Sequence, residues 1–205
     1  MRSRAEKFCL HSPVEACYNK KQEVSSTPLR PRKNGAENLF KPGDLVLYGG
    51  TGVCRIVSVA SSFSGEKSRL YYTLKPLYQT CTITTPVDNN KVFMRPIISK
   101  SEAERLIDSI PSIHAEVYHS KAMRELTEHY QAILSTYDCR NLIQLTMSIN
   151  AKKQLAEAQH RKFGAVDERY LKRAEDLLFG ELAAALEIDR AKVQSYIAER
   201  LGNSN

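Results

Sequence analysis

Hydrophobic residues follow two different periods along the chain, and the change comes after Pro96. Before it, short β-branched and aromatic runs are bounded by Gly, Pro, Asn or Asp, as is typical of strands. Four strands are expected, at residues 45–48, 53–59, 70–74 and 81–85. Closing such strands on one another removes exposed edges, so the pattern predicts a small Tudor-like or SH3-like β-barrel.

One turn, Gly49-Gly50-Thr51-Gly52, is rich enough in glycine to be compared with a phosphate-binding loop. Such a loop leads into a helix N-terminus, whose amides reinforce the site. This one joins strand to strand and is not followed by Gly-Lys-Ser/Thr, so a hairpin turn is the better interpretation.

After Pro96, apolar residues recur every three or four positions, which predicts amphipathic helices. Ser101 and Glu104 form a candidate capping box for the first helix, and Pro111 ends it. Later apolar stripes predict four more helices, near residues 123–137, 142–149, 167–186 and 189–202.

The predicted fold class is α+β with two domains. A disordered basic leader at residues 1–38 precedes the barrel at 39–98, and an all-helical domain of about five helices follows at 99–205. The leader has no clear apolar period and contains a turn-rich stretch. We interpret it as an unstructured extension or a start site assigned too early, in preference to an arm that follows phosphates.

The formal net charge of +7 points to an acidic partner, but the charge is unevenly spread. Lys and Arg outnumber Asp and Glu by 8 to 4 in residues 1–38 and by 7 to 3 in residues 39–99. Residues 100–205 carry 15 basic against 16 acidic side chains. A DNA-facing patch in the helical half would therefore be local.

Sets of catalytic or metal-binding residues are not evident. The histidines are dispersed, and no nucleophile–base or paired-carboxylate arrangement stands out, so we expect no enzyme, no catalytic residues, no cofactor and no bound metal. Cys9, His11 and Cys17 lack a fourth zinc ligand, and the scattered cysteines fit reduced cytoplasmic thiols. No apolar run approaches the roughly 20 residues of a membrane span, and residues 1–20 lack the apolar core of a signal peptide.

Seven basic residues cluster on two adjoining helix segments and the turn between them. They are Lys152, Lys153, Arg161, Lys162, Arg169, Lys172 and Arg173. Such a surface would contact DNA phosphates without reading sequence; the alternative is an ordinary solvated helical face.

Residues 181–193 have the outline of a helix-turn-helix, whose second helix would enter the major groove. Glu187 stands where a turn Gly is expected, and acidic residues outnumber basic ones over residues 175–205. Because that field repels DNA, we interpret the segment as a closing helical hairpin.

Residues 40–48 read Phe40-Lys41-Pro42-Gly43-Asp44-Leu45-Val46-Leu47-Tyr48, and Gly52 then opens an apolar strand to Val59. This opening resembles the CarD/CdnL/TRCF polymerase-interacting domain. Residues 71–75, the strand ending at Pro86 and residues 177–183 extend the resemblance over residues 39–201, as in a full-length CarD-like bacterial transcription regulator.

The resemblance implies a Tudor-like barrel that binds the RNA polymerase β subunit. It also implies a helical domain at double-stranded promoter DNA, just upstream of the −10 element, where the family stabilises the open complex at the fork. We therefore expect a cytoplasmic, nucleoid-associated regulator that is a monomer when bound to polymerase and has no membrane contact.

Polymerase-binding residues follow from the resemblance. Arginines that the family presents to polymerase fall near Ser61 and Thr84 here, which leaves basic side chains elsewhere on the barrel to substitute. The candidate set is Arg55, Ser61, Phe63, Lys67, Arg69, Thr82, Ile83 and Thr84.

DNA-binding residues follow in the same way. Many family members insert a tryptophan into the minor groove at the fork, and this chain contains no Trp. Tyr118 lies nearest to that position and Met123 is the second candidate for the wedge, whereas a basic family position near the fourth helix is Glu168 here. The candidate set is Tyr118, Lys121, Met123, Arg124, Lys152, Lys153, Arg161, Lys162, Arg169 and Lys172.

Three functions remain in competition at this point. The first is a non-enzymatic factor that bridges polymerase and promoter DNA. The second is a protein adaptor whose helices make no DNA contact, and the third is a helix-turn-helix repressor with a sensory barrel.

Overall fold

The computed structural model describes residues 39–64, 67–89 and 91–202. The expected leader therefore lies outside the described residues. The strands are β1 (Leu45–Tyr48), β2 (Gly52–Ser64), β3 (Lys67–Pro76), β4 (Ile83–Pro86) and β5 (Met94–Pro96). All neighbouring pairs are antiparallel, and the order across the sheet is β4-β3-β2-β1-β5.

This sheet is open among the described residues, so closure into the predicted barrel is not shown. Closure would need β4 to pair with β5, and among the described residues these two strands form the opposite edges. They contain only four and three residues, so few backbone groups are left unpaired at either edge. The sequence pattern missed β5, because a three-residue strand ending in proline resembles a loop.

The glycine-rich turn is a hairpin, as predicted, and it is tightly wound. Residues Gly49–Thr51 form one 3-10 turn between β1 and β2. Gly49 and Gly52 have φ of 44° and 88°, backbone values that residues with a Cβ rarely adopt. Tyr48 then lies opposite Gly52 and sets the register of the β1–β2 pair.

One face of the sheet is packed by its own apolar cluster. Its buried members are Val46, Tyr48, Cys54, Ile56, Tyr72 and Leu74. The alternation of β2 is broken between Ile56 and Ser58, where the register with β3 shifts. Up to the shift the alternation holds: Ile56 is 1% exposed, and Val57, two positions after the exposed Arg55, is 49% exposed.

The helices follow the sheet along the chain, and the two-part α+β layout is confirmed. They are α1 (Lys100–Asp108), α2 (Met123–Leu134), α3 (Cys139–Ala158), α4 (Ala165–Leu186) and α5 (Val193–Gly202). They share a separate apolar cluster, to which α3 contributes from several sides, including Leu142, Leu145 and Ile149.

The first helix begins earlier than predicted. Its capping box is formed by Ser99 and Glu102, where the sequence analysis had chosen Ser101 and Glu104. Both pairs have the required spacing, but Ser99 has the extended backbone of an N-cap residue (φ −73°, ψ 161°). At its other end α1 stops at Asp108, before Pro111.

The chain then closes with α5. Between α4 and α5, Glu187 adopts the left-handed conformation (φ 57°), although a glycine is the usual residue there. Arg200 of α5 donates from Nη2 to Asp108 Oδ2 of α1 over 2.9 Å. Because α5 is bonded to α1 and Val193 is buried, the end of the described chain packs back onto the bundle.

Candidate functional site

The sheet presents one open face made by β2, β3 and β4. Arg55 pairs in register with Lys75, and Thr73 pairs with Thr84. Arg55, Lys75 and Thr84 are exposed. Neither cationic side chain forms an ion pair within the described part of the chain, so this face carries two uncompensated positive charges next to the exposed Val57.

The predicted polymerase-binding residues do not all lie on that face. Ile83 packs against the sheet's apolar cluster, and Ser61 is half-buried opposite Leu70. Arg69 is exposed but bonded to Asp88, with Nε–Oδ1 at 2.9 Å. Thr82 is exposed, and the side chains of Phe63 and Lys67 lie outside the described part of the structure.

Lys75 and Val57 are surface residues that the sequence analysis missed. Lys75 follows the strand expected at residues 70–74 and was not among the candidate polymerase-binding residues, although it extends the same alternation by one more exposed position. Val57 lies within the strand expected at residues 53–59, and alternation places it on the same side of β2 as the exposed Arg55.

Lys152 is not part of the basic surface. Its ammonium lies 2.8 Å from Asp167 Oδ1, and its side chain is 17% exposed. The Tyr130 hydroxyl donates to the same oxygen over 2.7 Å. Burial, and then the Asp167 hydrogen bond, raises the pKa of Tyr130. The three groups therefore form a buried link between α2, α3 and α4.

The other basic residues remain on the surface where α3 ends and α4 begins. Lys153, Arg161, Lys162, Arg169, Lys172 and Arg173 are exposed. We call these six residues the basic end of the α3–α4 hairpin. Arg169, Lys172 and Arg173 recur at helical spacing along one side of α4, with Arg169 also lying over the Tyr170 ring at 5.2 Å.

The two candidates for the wedge differ in accessibility. Tyr118 is half-buried and stacks on His129, with ring centroids 3.8 Å apart. Burial lowers the pKa of His129, which favours the neutral ring in this stack. Met123 is 61% exposed at the first position of α2. Lys121 is exposed before it, and Arg124 after it bonds to Glu128 over 2.7 Å.

Helix α4 also rests on the sheet. A Cβ added to Gly52 would lie 3.7 Å from Leu177 Cδ2, and one added to Gly50 would lie 3.0 Å from Arg173 Nη2. Further along the helix, the carbonyl of Gly180 accepts the Tyr78 hydroxyl over 3.1 Å. The same helix that carries basic residues therefore contacts the β1–β2 turn and the segment after β3.

The contact between α4 and the sheet also includes a buried ion pair. Arg95 of β5 donates Nη2 to Glu181 Oε2 of α4 over 2.9 Å and Nη1 to Oε1. Glu181 is 0% exposed. The thiol of Cys139 donates to Oε2 over 3.2 Å, and its pKa is raised by burial and by the carboxylate beside it.

Other kinds of site find little support within residues 39–64, 67–89 and 91–202. There, no three His, Cys, Asp or Glu side chains come together as a metal site. No helix in that part of the chain is long and apolar enough to cross a membrane. Cys54 and Cys139 are buried free thiols, and Cys81 is half-buried.

The described chain thus combines an open antiparallel sheet with a helical bundle, and a buried ion pair joins the two. Residues 40–98, the segment that contains all five strands, match the family model of the CarD-like/TRCF RID domain, so this segment is assigned to that family. RID is an interaction domain of transcription factors and not a catalytic family, and in general it binds the RNA polymerase β subunit. The match ends before α1.

The neighbouring residues Lys152 and Lys153 give a matched test of the buried link. Lys152→Ala should lower the free energy of unfolding by about 2 kcal/mol, because it leaves the Asp167 carboxylate buried without its cation. Lys153→Ala should change it by less than about 0.5 kcal/mol, as is usual for exposed positions. Urea denaturation measures both, and equal effects would show that Lys152 is not part of a buried pair.

Proposed function

We propose that this protein regulates transcription by binding the RNA polymerase β subunit and promoter DNA together. The open face of the sheet binds polymerase, and the basic end of the α3–α4 hairpin contacts the duplex near the upstream edge of the −10 element. The protein acts as a monomer on the nucleoid, in the cytoplasm. It stabilises the open complex and breaks no bond.

The observation that carries this proposal is that α4 joins both surfaces. Its first half presents Arg169, Lys172 and Arg173 to solvent, and its second half packs on the sheet from Leu177 to Glu181. A sheet anchored on polymerase therefore holds the basic residues at a fixed place beside it. Tethering of this kind raises the effective concentration of a weak DNA contact.

The mechanism is differential binding. A factor that binds the partly opened fork more tightly than the closed duplex shifts the equilibrium towards the open form by the ratio of the two affinities. Phosphate contacts alone do not discriminate the two forms, because both carry the same backbone charge. Discrimination needs a group at the fork, and the exposed Met123 suits this role, since apolar side chains such as Met stabilise unstacked steps.

An adaptor without DNA contact is the second candidate. The observation in its favour is the charge of the helical half, which is almost neutral over residues 100–205. In addition, Arg124 is neutralised by Glu128, and Glu168 lies among the basic residues of α4. On this alternative the helices bind a further protein, and the promoter makes no difference to affinity.

Charge reversal on the open face tests the polymerase contact. Lys75→Glu should weaken binding of the full chain to the polymerase β subunit by at least about tenfold, because it places a repulsive charge in the proposed interface. Lys100→Glu is the control, since Lys100 is exposed at the start of α1 and is not on β2, β3 or β4, which make the open face. Surface plasmon resonance measures both variants. If Lys75→Glu binds like the unchanged chain, the open face is not the polymerase site.

Salt dependence tests the DNA contact. Binding of the polymerase–protein complex to a fork-junction promoter fragment should weaken with salt more steeply than binding of polymerase alone. Arg169→Ala with Lys172→Ala should lower the magnitude of the log–log slope by about 2, for two lost phosphate contacts. Lys100→Ala combined with Lys192→Ala is the control and should leave the slope unaltered. If the salt dependence is no steeper with the protein than with polymerase alone, the adaptor without DNA contact is favoured.

Replacement of Met123 tests the contact at the fork. Met123→Ala should shorten the open-complex lifetime severalfold while polymerase affinity is retained, because the apolar group is needed only when the step is unstacked. Tyr118→Phe keeps a ring against His129 and should leave the lifetime unchanged. A competitor-challenge assay of promoter complexes measures these lifetimes, and a full lifetime with Met123→Ala would remove the residue from the proposed site.

A further inference from the structure

The Glu181 carboxylate collects bonds from several parts of the chain. Besides Arg95 and Cys139, the backbone N–H of Ile98 donates to its Oε1 over 3.1 Å. Arg95 in turn donates Nη2 to the carbonyl of Tyr137 over 2.7 Å and Nη1 to that of Pro96 over 2.9 Å. One ion pair thus connects β5, the segment before α1, the turn between α2 and α3, and α4.

Stability alone is a weak explanation for this arrangement. Removing two charges from water costs several kcal/mol per ion, and apolar residues of similar volume often replace a buried pair with little loss or even a gain of stability. An apolar pair, however, does not fix the direction in which its two side chains meet. A guanidinium bonded to both oxygens of a carboxylate fixes the two groups in one plane and one relative orientation.

Direction matters here because the two halves keep separate apolar clusters. Apolar contact between them includes Leu177 of α4, which lies beside Gly52 at the β1–β2 turn. The remaining contacts between the halves include the Tyr78–Gly180 hydrogen bond and the stack of Phe93 on Tyr137, whose centroids are 5.0 Å apart. Both aromatic side chains on the sheet side are more than two-fifths exposed, at 41% and 45%.

Helix α4 transmits the orientation. Arg173 precedes Glu181 by eight residues, about 12 Å along a helix axis. The helix is 22 residues long, and Ala174, Leu178 and Leu182 on its inner side are buried in the bundle. A change of angle at Glu181 would therefore move the whole basic end of the hairpin relative to the sheet.

We propose that Arg95 and Glu181 are positioning residues that hold the basic end of the α3–α4 hairpin at one angle to the polymerase-binding sheet. Polymerase docking then presents that surface, together with Met123 of the same helical bundle, to DNA in the orientation that stabilises the open complex. This inference rests on the proposed function for its biological consequence. The fixed angle itself is a property of the protein alone.

The test uses the full chain with Arg95→Met and Glu181→Leu combined, an apolar pair that should keep the protein folded. Arg95→Lys is the second variant, since it keeps the charge and loses the two-pronged geometry. Tyr130→Phe is the matched control, because it removes a buried hydrogen bond within the helices and leaves the junction intact. Thermal unfolding sets a working temperature at which every variant is folded.

Two readouts separate positioning from folding. Spin labels at Thr84 and Gln154, with Cys9, Cys17 and Cys81 changed to Ser, report the distance between sheet and helices. We expect one narrow distance in the unchanged chain and in Tyr130→Phe, and a broad or shifted distribution in both junction variants. Polymerase affinity should stay within about twofold, while the gain in open-complex lifetime falls at least about fivefold.

An unchanged distance distribution in a folded junction variant would overturn the inference, and so would a full lifetime gain. If the unchanged chain gives no lifetime gain at all, the proposed function fails. The distance measurement still decides the positioning role in that case, since it needs neither polymerase nor DNA.

Discussion

The buried pair of Arg95 and Glu181 is the interaction on which the arrangement of this protein depends. A carboxylate that is 0% exposed is tolerable only when its oxygens are fully bonded, and here a guanidinium, a backbone N–H and a thiol supply the donors. Those donors come from elements far apart in sequence. The sheet and the helices must therefore dock correctly before the charge of Glu181 can be buried at all.

Burial also separates the charges that hold the protein together from those that are free to bind. Lys152 and Lys153 are neighbours on α3, yet Lys152 forms an ion pair with Asp167 while Lys153 is exposed to solvent. On the sheet, Arg69 is paired with Asp88, while Arg55 and Lys75 have no ionic partner among the described residues. The surfaces that remain are small and cationic. They suit acidic partners that are brought close by a second contact.

Local features of this fold were predictable from the sequence, because local physics determines them. The strand Leu45–Tyr48, the glycine hairpin and the helical stripes follow from residue periodicity and backbone preference. The opening motif also led correctly to the RID family. Closure into a barrel could not be settled from the sequence, because it depends on whether β4 meets β5, and periodicity contains no information about such pairing.

The candidate site was harder to predict for the same reason. Lys152 belongs to a basic run in sequence, and only the approach of Asp167 from another helix removes it from the surface. Tyr118 has the size of a wedge but is stacked on His129, whereas Met123 had no distinguishing feature in the sequence beyond its polar neighbours. Arg95 and Glu181 are 86 residues apart, and no sequence pattern around either residue predicts that the two will pair.

The central claim is that the sheet meets polymerase while the helices meet DNA. Lysine acetylation footprinting of the full chain tests it most directly, with polymerase alone and then with polymerase and fork-junction DNA. The account predicts that polymerase alone protects Lys75, that DNA adds protection at Lys153, Lys162 and Lys172, and that Lys192 stays reactive throughout. Protection of the α3–α4 lysines by polymerase alone, or no added protection with DNA, would contradict it.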